Sequence, residues 1–331
     1  MKNSRPSLQS HPFRLPRSLS GRPSLPTSLL GGILLLTVFS TSCTQEVKPS
    51  GDTALKILCT TQMIAEPVRM MVPEGVEVDH LMGSGVDPHL YKPTPEDLRK
   101  VLRANLVLYH GLHLEGRMSD MLSQIDIKNS GGKAVAICAN IPQEQLIIDE
   151  SGIIDPHLWL DIQLWKEVCT NLKTILSNHG SIDSVNLEER FKDLNQYLDE
   201  LDRQIIDLLG QIPQDRKILV TAHDAFAYFG KRYGFEVHGI QGISTESEPS
   251  LLRVNQLVKL LSDQNVPAIF MESTVPERNV RALIEGCERL GHELRIGGKL
   301  YSDAPGPRES GAGSWSKMVL HNAKTIVEGL R

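Results

Sequence analysis

Leu187, Phe191, Leu194, Leu198, Leu201, Ile205 and Leu208 recur at steps of four and three, with charged residues between them. That spacing predicts one long helix with a single apolar stripe, a rod that the rest of the chain must be arranged around. Asn186 with Glu189 reads as a capping-box-like start, and Gly210 with Pro213 as the stop. A helix of ~23 residues runs about 34 Å at 1.5 Å per residue, long enough to cross two lobes as a stiff connector. A coiled-coil dimer seam is the other reading of the stripe, but only about three heptads are present, so a monomer is expected. The charge runs at 188–190 and 199–203 read as the helix's solvated side.

Short β-rich apolar runs flank this helix: 56–59, 76–82, 106–109 and 134–138 before it, and 217–222, 235–240, 268–272 and 293–297 after it. Segments with helix-start signals separate them. The clearest is Thr94-Pro-Glu-Asp97, with an N-cap hydroxyl, proline in the first turn and two acids behind it. The expected fold is α/β: two similar β/α lobes, 53–180 and 213–331, joined by one long rigid helix over 181–212, with a site in the cleft between them. A chain of 331 residues has enough core for this without disulfides. Cys59, Cys138, Cys169 and Cys287 lack the close spacing of a thiolate metal site or redox motif and read as buried thiols, with any pairing left open.

The first residues speak to compartment. Five basic residues (Lys2, Arg5, Arg14, Arg17, Arg22) and no acid precede an apolar run at 28–40 and the small residues before Cys43. The run is short for a bilayer span and has the form of an export signal, so 1–42 is read as a leader. Small residues followed by Cys43 resemble a bacterial lipobox, in which that cysteine carries the lipid and 43–52 tethers the domain to the membrane. Simple secretion with Cys43 as a bystander is the alternative. The remaining chain carries 30 basic against 40 acidic side chains, a formal −10, which disfavours a nucleic-acid partner.

Two histidines sit in identical turns, Asp87-Pro88-His89 and Asp155-Pro156-His157. Proline stiffens each turn, and the preceding aspartate is placed to accept the imidazole N–H and hold its tautomer. His223 follows the apolar run 217–222, and Asp303 lies just beyond the last strand-like run. Open α/β sheets place their ligands at the carboxyl ends of strands. Together the four residues suggest a shared interlobe metal site. Each alone also reads as a structural side chain.

The chain is similar to the zinc- and manganese-binding solute-binding proteins of bacterial ABC importers, the TroA-like or ZnuA-like family. The similarity is carried by Gly85-Val-Asp-Pro-His89 with Tyr91-Lys-Pro-Thr-Pro95, Tyr109-His-Gly-Leu-His-Leu-Glu115, Asp155-Pro-His-Leu-Trp-Leu-Asp161, Thr221-Ala-His-Asp-Ala-Phe226, Gln241-Gly-Ile-Ser-Thr-Glu-Ser-Glu248, Ile269-Phe-Met-Glu-Ser273 and Tyr301-Ser-Asp303. The resemblance implies metal ligands at His89, His157, His223 and Asp303, and a membrane permease with its ATPase as partners. His110 stands where the family more often has Asn, and Trp315 where Tyr is frequent. The long His- and acid-rich loop of many zinc members is missing between His113 and Asp155.

Three imidazoles and one carboxylate suit Zn²⁺ in four-coordinate geometry. Manganese members tend to put Glu at the position of His223, so the nitrogen count favours Zn²⁺ over Mn²⁺, with iron third. Release is expected to depend on loop movement around Asp303 and His223, because a stiff helix limits hinge motion. Two other classes compete: a zinc-dependent hydrolase, with Glu246, Glu248 or Glu272 as base, and a surface adhesin with a structural metal. Four protein ligands leave little room for a catalytic water, and no His-Glu-x-x-His, Gly-x-Ser-x-Gly or phosphate-loop motif occurs.

Overall fold

Apolar runs become parallel strands, and the amphipathic segments between them become helices that cover the strands. The computed structural model describes residues 54–128, 133–180 and 182–331. The expected leader, the tether and Cys43 lie outside those residues. In the first half, β1 (Lys56–Thr61), α1 (Gln62–Met71), β2 (Glu77–Met82), α2 (Pro95–Arg103), β3 (Leu106–Tyr109), α3 (Ser119–Lys128) and β4 (Ala134–Ala136) alternate. The strands form a parallel sheet of order β2-β1-β3-β4. β3 is buried throughout and β1 from Ile57 onward, as expected of parallel strands covered on both faces. α2 starts as its sequence predicts. The Thr94 hydroxyl accepts the Asp97 N–H while Asp97 accepts the Thr94 N–H, a closed capping box.

After α4 (Ile162–Asn178) and α5 (Ser184–Leu209) the alternation resumes with β5 (Ile218–Thr221), α6 (Ala227–Tyr233), β6 (Glu236–Gly239), α7 (Leu251–Asp263), β7 (Ala268–Glu272), α8 (Arg278–Arg289), β8 (Arg295–Leu300) and α9 (Trp315–Leu330). β5 pairs with β6 and β7 with β8, both parallel, and β5 lies against β7. The second half thus holds two two-stranded parallel sheets side by side, and the spatial sequence β6-β5-β7-β8 parallels the order of the first sheet. Two similar lobes are present, and α5 packs on α1 and α4 from one and on α9 from the other. The main apolar cluster, from Ile57 through Leu198 to Leu330, draws residues from both lobes and from α5, and each lobe has a smaller cluster of its own.

The local differences from expectation have physical causes. Asp183, not Asn186, caps α5: its carboxylate accepts the Val185 N–H and the Asn186 side-chain amide. The helix therefore has 26 residues, about 39 Å. Leu209 rather than Leu208 ends its buried stripe. Within the charge run 199–203, Asp202 is buried rather than solvated. It accepts from Gln163 of α4 at 2.8 Å, from the Tyr233 hydroxyl of α6 at 2.9 Å, and from Arg232. The last strand runs on to Leu300 because Gly297 and Gly298 lie inside it, Gly298 at φ +146°. A side chain at Gly297 would strike the Phe270 ring, and one at Gly298 the Thr325 methyl, so these glycines let β8 and α9 close up. Residues 224–226, between β5 and α6, are irregular, and there the His223 and Asp224 N–H groups bond to Glu272 and to the Gly242 carbonyl.

Candidate metal centre

Each of the four singled-out residues sits in a loop at the edge of the cleft, fixed by a neighbour. His89 follows β2, and its turn is tied by Asp87, whose Oδ1 accepts the His89 backbone N–H at 2.8 Å. In the second Asp-Pro-His turn, Asp155 Oδ1 accepts both the His157 backbone N–H at 2.9 Å and its Nδ1–H at 2.7 Å. The motif then closes into the next helix, since Asp161 caps α4 by accepting from the N–H groups of Gln163 and Leu164. His223 lies two residues past β5. Glu272, the last residue of β7, takes its backbone N–H at 2.8 Å and its Nδ1–H at 2.6 Å. Asp303, three residues past β8, accepts the Thr274 hydroxyl on Oδ2 at 3.2 Å.

These contacts leave three Nε2 atoms and Asp303 Oδ1 facing one another. Nε2 of His157 is 3.3 Å from that of His89, 3.4 Å from that of His223 and 3.3 Å from Asp303 Oδ1, and His223 Nε2 is 3.4 Å from the same oxygen. Four ligands at ~2.0–2.1 Å from a tetrahedral ion stand about 3.3–3.4 Å apart; the three pairs that include His157 and the His223–Asp303 pair meet that spacing, and all four atoms lie within 4.8 Å of one another. Asp303 Oδ1 is buried and has no hydrogen-bond partner. Buried acceptors are nearly always satisfied, and an oxygen whose nearest polar neighbours are the Nε2 atoms of His157 and His223, facing it without hydrogen-bond geometry, suits an ion shared among them. Among the described residues this is the group of His, Cys, Asp and Glu whose ligand atoms converge in this way.

The electrostatics are those of a cage that holds protons when no ion fills it. Burial disfavours charge on His157, but Asp155 and Asp303 outweigh it and push its pKa up to about 9. His223 is also raised against the cost of burial, by Glu272 and Asp303. Burial opposes ionisation of Asp303 as well, yet His223 and His157 hold its carboxyl well below the usual range. His89 has no carboxylate on its ring, and burial pushes it down to about 3. A carboxylate on Nδ1 keeps the proton there, so the proton that His157 or His223 gives up to a metal ion is the one on Nε2, the nitrogen that faces the cage.

Not every expectation holds in detail. Asp87 does not hold the His89 ring: it bonds the backbone, and its second oxygen accepts the Thr245 hydroxyl from the other lobe at 2.6 Å. Sequence reasoning named Glu272 only as a possible base and missed its grip on His223. Glu246 is exposed on a cavity of about 310 Å³ that opens over His89 and is also lined by His113 and Arg117. Glu248 is exposed and pairs with Arg278. His110 is buried, with its ring against Trp159 and Trp165 and its Nε2 3.4 Å from Cys138 Sγ. Burial pushes it down to about 3, so it stays neutral. Trp315 donates its indole N–H to the Trp159 carbonyl at 3.0 Å. Both back the site through Trp159, whose ring meets His157 edge-on. Cys59, Cys138, Cys169 and Cys287 are buried free thiols. Among the described residues no helix is long and apolar enough to cross a membrane.

Known proteins share this sequence and fold. The sequence profile of the family described as zinc-uptake complex component A, periplasmic (ZnuA), matches residues 57–329. The chain is 40% identical over 309 residues to the manganese-binding lipoprotein MntA of Bacillus subtilis (strain 168), spanning 92% of this chain and 99% of that protein. It is 28% identical over 280 residues to the manganese ABC transporter substrate-binding lipoprotein PsaA of Streptococcus mitis, spanning 83% of this chain and 89% of that one. The solved structure of the periplasmic zinc binding protein TroA from Treponema pallidum matches with a TM-score of 0.78 at 38% identity, over 83% of this chain and 98% of that chain.

Proposed function

This chain belongs to the ZnuA family of metal-uptake components, and from that membership and the four-residue cage we propose that it captures a divalent transition metal outside the cytoplasm. It then delivers the ion to the permease and ATPase of an ABC importer. The observation that supports the reading is the convergence of three Nε2 atoms and Asp303 Oδ1, all buried and within 4.8 Å of one another. In this reading His89, His157, His223 and Asp303 are the ligands, two from each lobe. The ion is cargo, so nothing beyond binding and release is asked of the site.

Three nitrogens to one oxygen favour Zn²⁺. Mn²⁺ is the second reading, supported by the relative at 40% identity that is named for manganese. A competition titration of metal-free protein tests both. One Zn²⁺ per chain, bound in preference to Mn²⁺ at equal free concentrations and lost in His223→Ala, is expected. Preference for Mn²⁺ reverses the ranking, and no binding of either removes the reading.

The proposal extends to the rest of the chain. Residues 1–42 direct export, Cys43 carries a lipid, 43–52 tether the domain, and the lobes 53–180 and 213–331 work as a monomer about the helix in 181–212. Hydrolysis is disfavoured by the chemistry of the cage. Four protein ligands close a zinc tetrahedron, and Glu272 is engaged on His223 rather than free to act as a base. No observation favours an adhesin.

A further inference from the structure

Three of the four cage residues are braced by buried bonds on both sides of the cleft, and the fourth is not. His157 is held by Asp155, whose carbonyl accepts the Tyr228 hydroxyl of the C-terminal lobe at 2.9 Å. Two residues on, the Trp159 indole N–H donates to the Ser302 carbonyl at 2.8 Å, next to Asp303. Glu272 grips His223 twice, and Thr274 donates to Asp303. His157, His223 and Asp303 thus form a stiff half-cage that includes both loops expected from the sequence to move.

His89 closes that cage from a loop with a weaker hold. Among the described residues, the hydrogen bonds joining the 85–90 loop to the C-terminal lobe are the Gly85 N–H to the Pro305 carbonyl, at a long 3.3 Å, and the Thr245 hydroxyl to Asp87 at 2.6 Å. Asp87 does two things at once. Its Oδ1 fixes the His89 backbone, and its Oδ2 accepts from Thr245 across the cleft. The loop carrying Thr245 is itself shaped by the buried Gln241, whose amide donates to the Ser247 carbonyl at 2.9 Å.

We propose that Thr245 is a latch, a positioning residue that holds the His89 loop shut through Asp87 and so sets how fast the metal leaves. The proposal rests on His89 being a metal ligand. A hydroxyl bonded to a carboxylate is stronger than a neutral pair, and it sits where a small opening removes one ligand of four. When the bond breaks, the 85–90 loop swings with His89, leaving a three-ligand site that holds an ion less well. The lobes need not separate, which suits a connector as stiff as α5.

The test is release of Zn²⁺ from the loaded full chain into excess chelator, followed by stopped flow. Thr245→Val keeps the shape and removes the hydroxyl, while Thr245→Ser keeps the hydroxyl. The valine variant is expected to release about tenfold faster than the unaltered protein, about 1.4 kcal/mol, and the serine variant within about twofold of it. Both metal-free variants should melt where the unaltered metal-free protein does. Equal release by the valine variant and the unaltered protein overturns the latch, as does a serine variant that behaves like valine. If Thr245→Val and Thr245→Ala both fail to fold without metal, Thr245 belongs to the fold rather than to a latch, and the proposal also falls. An unaltered protein that holds no Zn²⁺ removes the metal-site reading itself, an outcome separable from the others.

Discussion

At the level of single residues, two identical tripeptides do different work. Asp155 holds the ring of His157, whereas Asp87 holds only the backbone of His89 and gives its other oxygen to Thr245. The proline-stiffened turn and the strand-end histidine were legible because they are local. The partners were not, because they arrive from far along the chain: Glu272 meets His223 across 49 positions, through the packing of β5 against β7. Removing such a partner loosens the tautomer without removing a ligand. Glu272→Ala is therefore expected to keep the fold, by circular dichroism, and to weaken Zn²⁺ binding about tenfold to hundredfold in competition titration. Unchanged affinity would show that His223 needs no carboxylate behind it. The raised histidines give a second expectation. His157 and His223 titrate higher in the folded metal-free protein than the ~6.5 of an unfolded chain. The stability they contribute is fully present below that value and is lost as pH rises through the folded values, about 9 for His157. His89 and His110, pushed down to about 3, act oppositely and cost stability as pH falls below ~6.5. Calorimetry of the metal-free protein should show its melting temperature falling from about pH 6.5 to about pH 9. The loaded protein should not follow, because the ion has displaced those protons. A metal-free melting temperature that is flat or rising across that window contradicts the electrostatic account.

Among the elements, α5 decides the architecture, and most of it was readable from its apolar period. What the period could not show is Asp202, an acid inside a charge run that turns inward. Its inward turn depends on Tyr233 and Arg232 arriving from α6 and Gln163 from α4, none of which a helical pattern encodes. The same limit applies to β8, where Gly297 and Gly298 looked like an end and are instead the place where Phe270 and Thr325 pack close. Asp202 cross-links α4, α5 and α6, and losing it strands the buried Tyr233 hydroxyl. Asp202→Ala is expected to lower unfolding free energy by about 1–3 kcal/mol in urea, with Zn²⁺ affinity unchanged, since no cage residue touches it. A loss below about 0.5 kcal/mol would mean that water replaces the carboxylate at no cost.

For the whole molecule, the proposed function follows from where the parallel strands end. Loops after β2, β5 and β8 supply His89, His223 and Asp303, the end of β7 supplies Glu272, and the turn before α4 supplies His157. The helix α5, whose apolar face packs on α1 and α4 of one lobe and on α9 of the other, ties the two lobes together, and the four proposed ligand atoms lie within 4.8 Å of one another. In the proposed reading, such convergence lets four side chains scattered along the chain act as one site. X-ray absorption at the zinc edge of the loaded protein reads that site directly. Four nitrogen and oxygen neighbours at ~2.0–2.2 Å, three of them with the outer-shell pattern of imidazole, are expected. A shell of water oxygens, or sulfur at ~2.3 Å, would contradict the account.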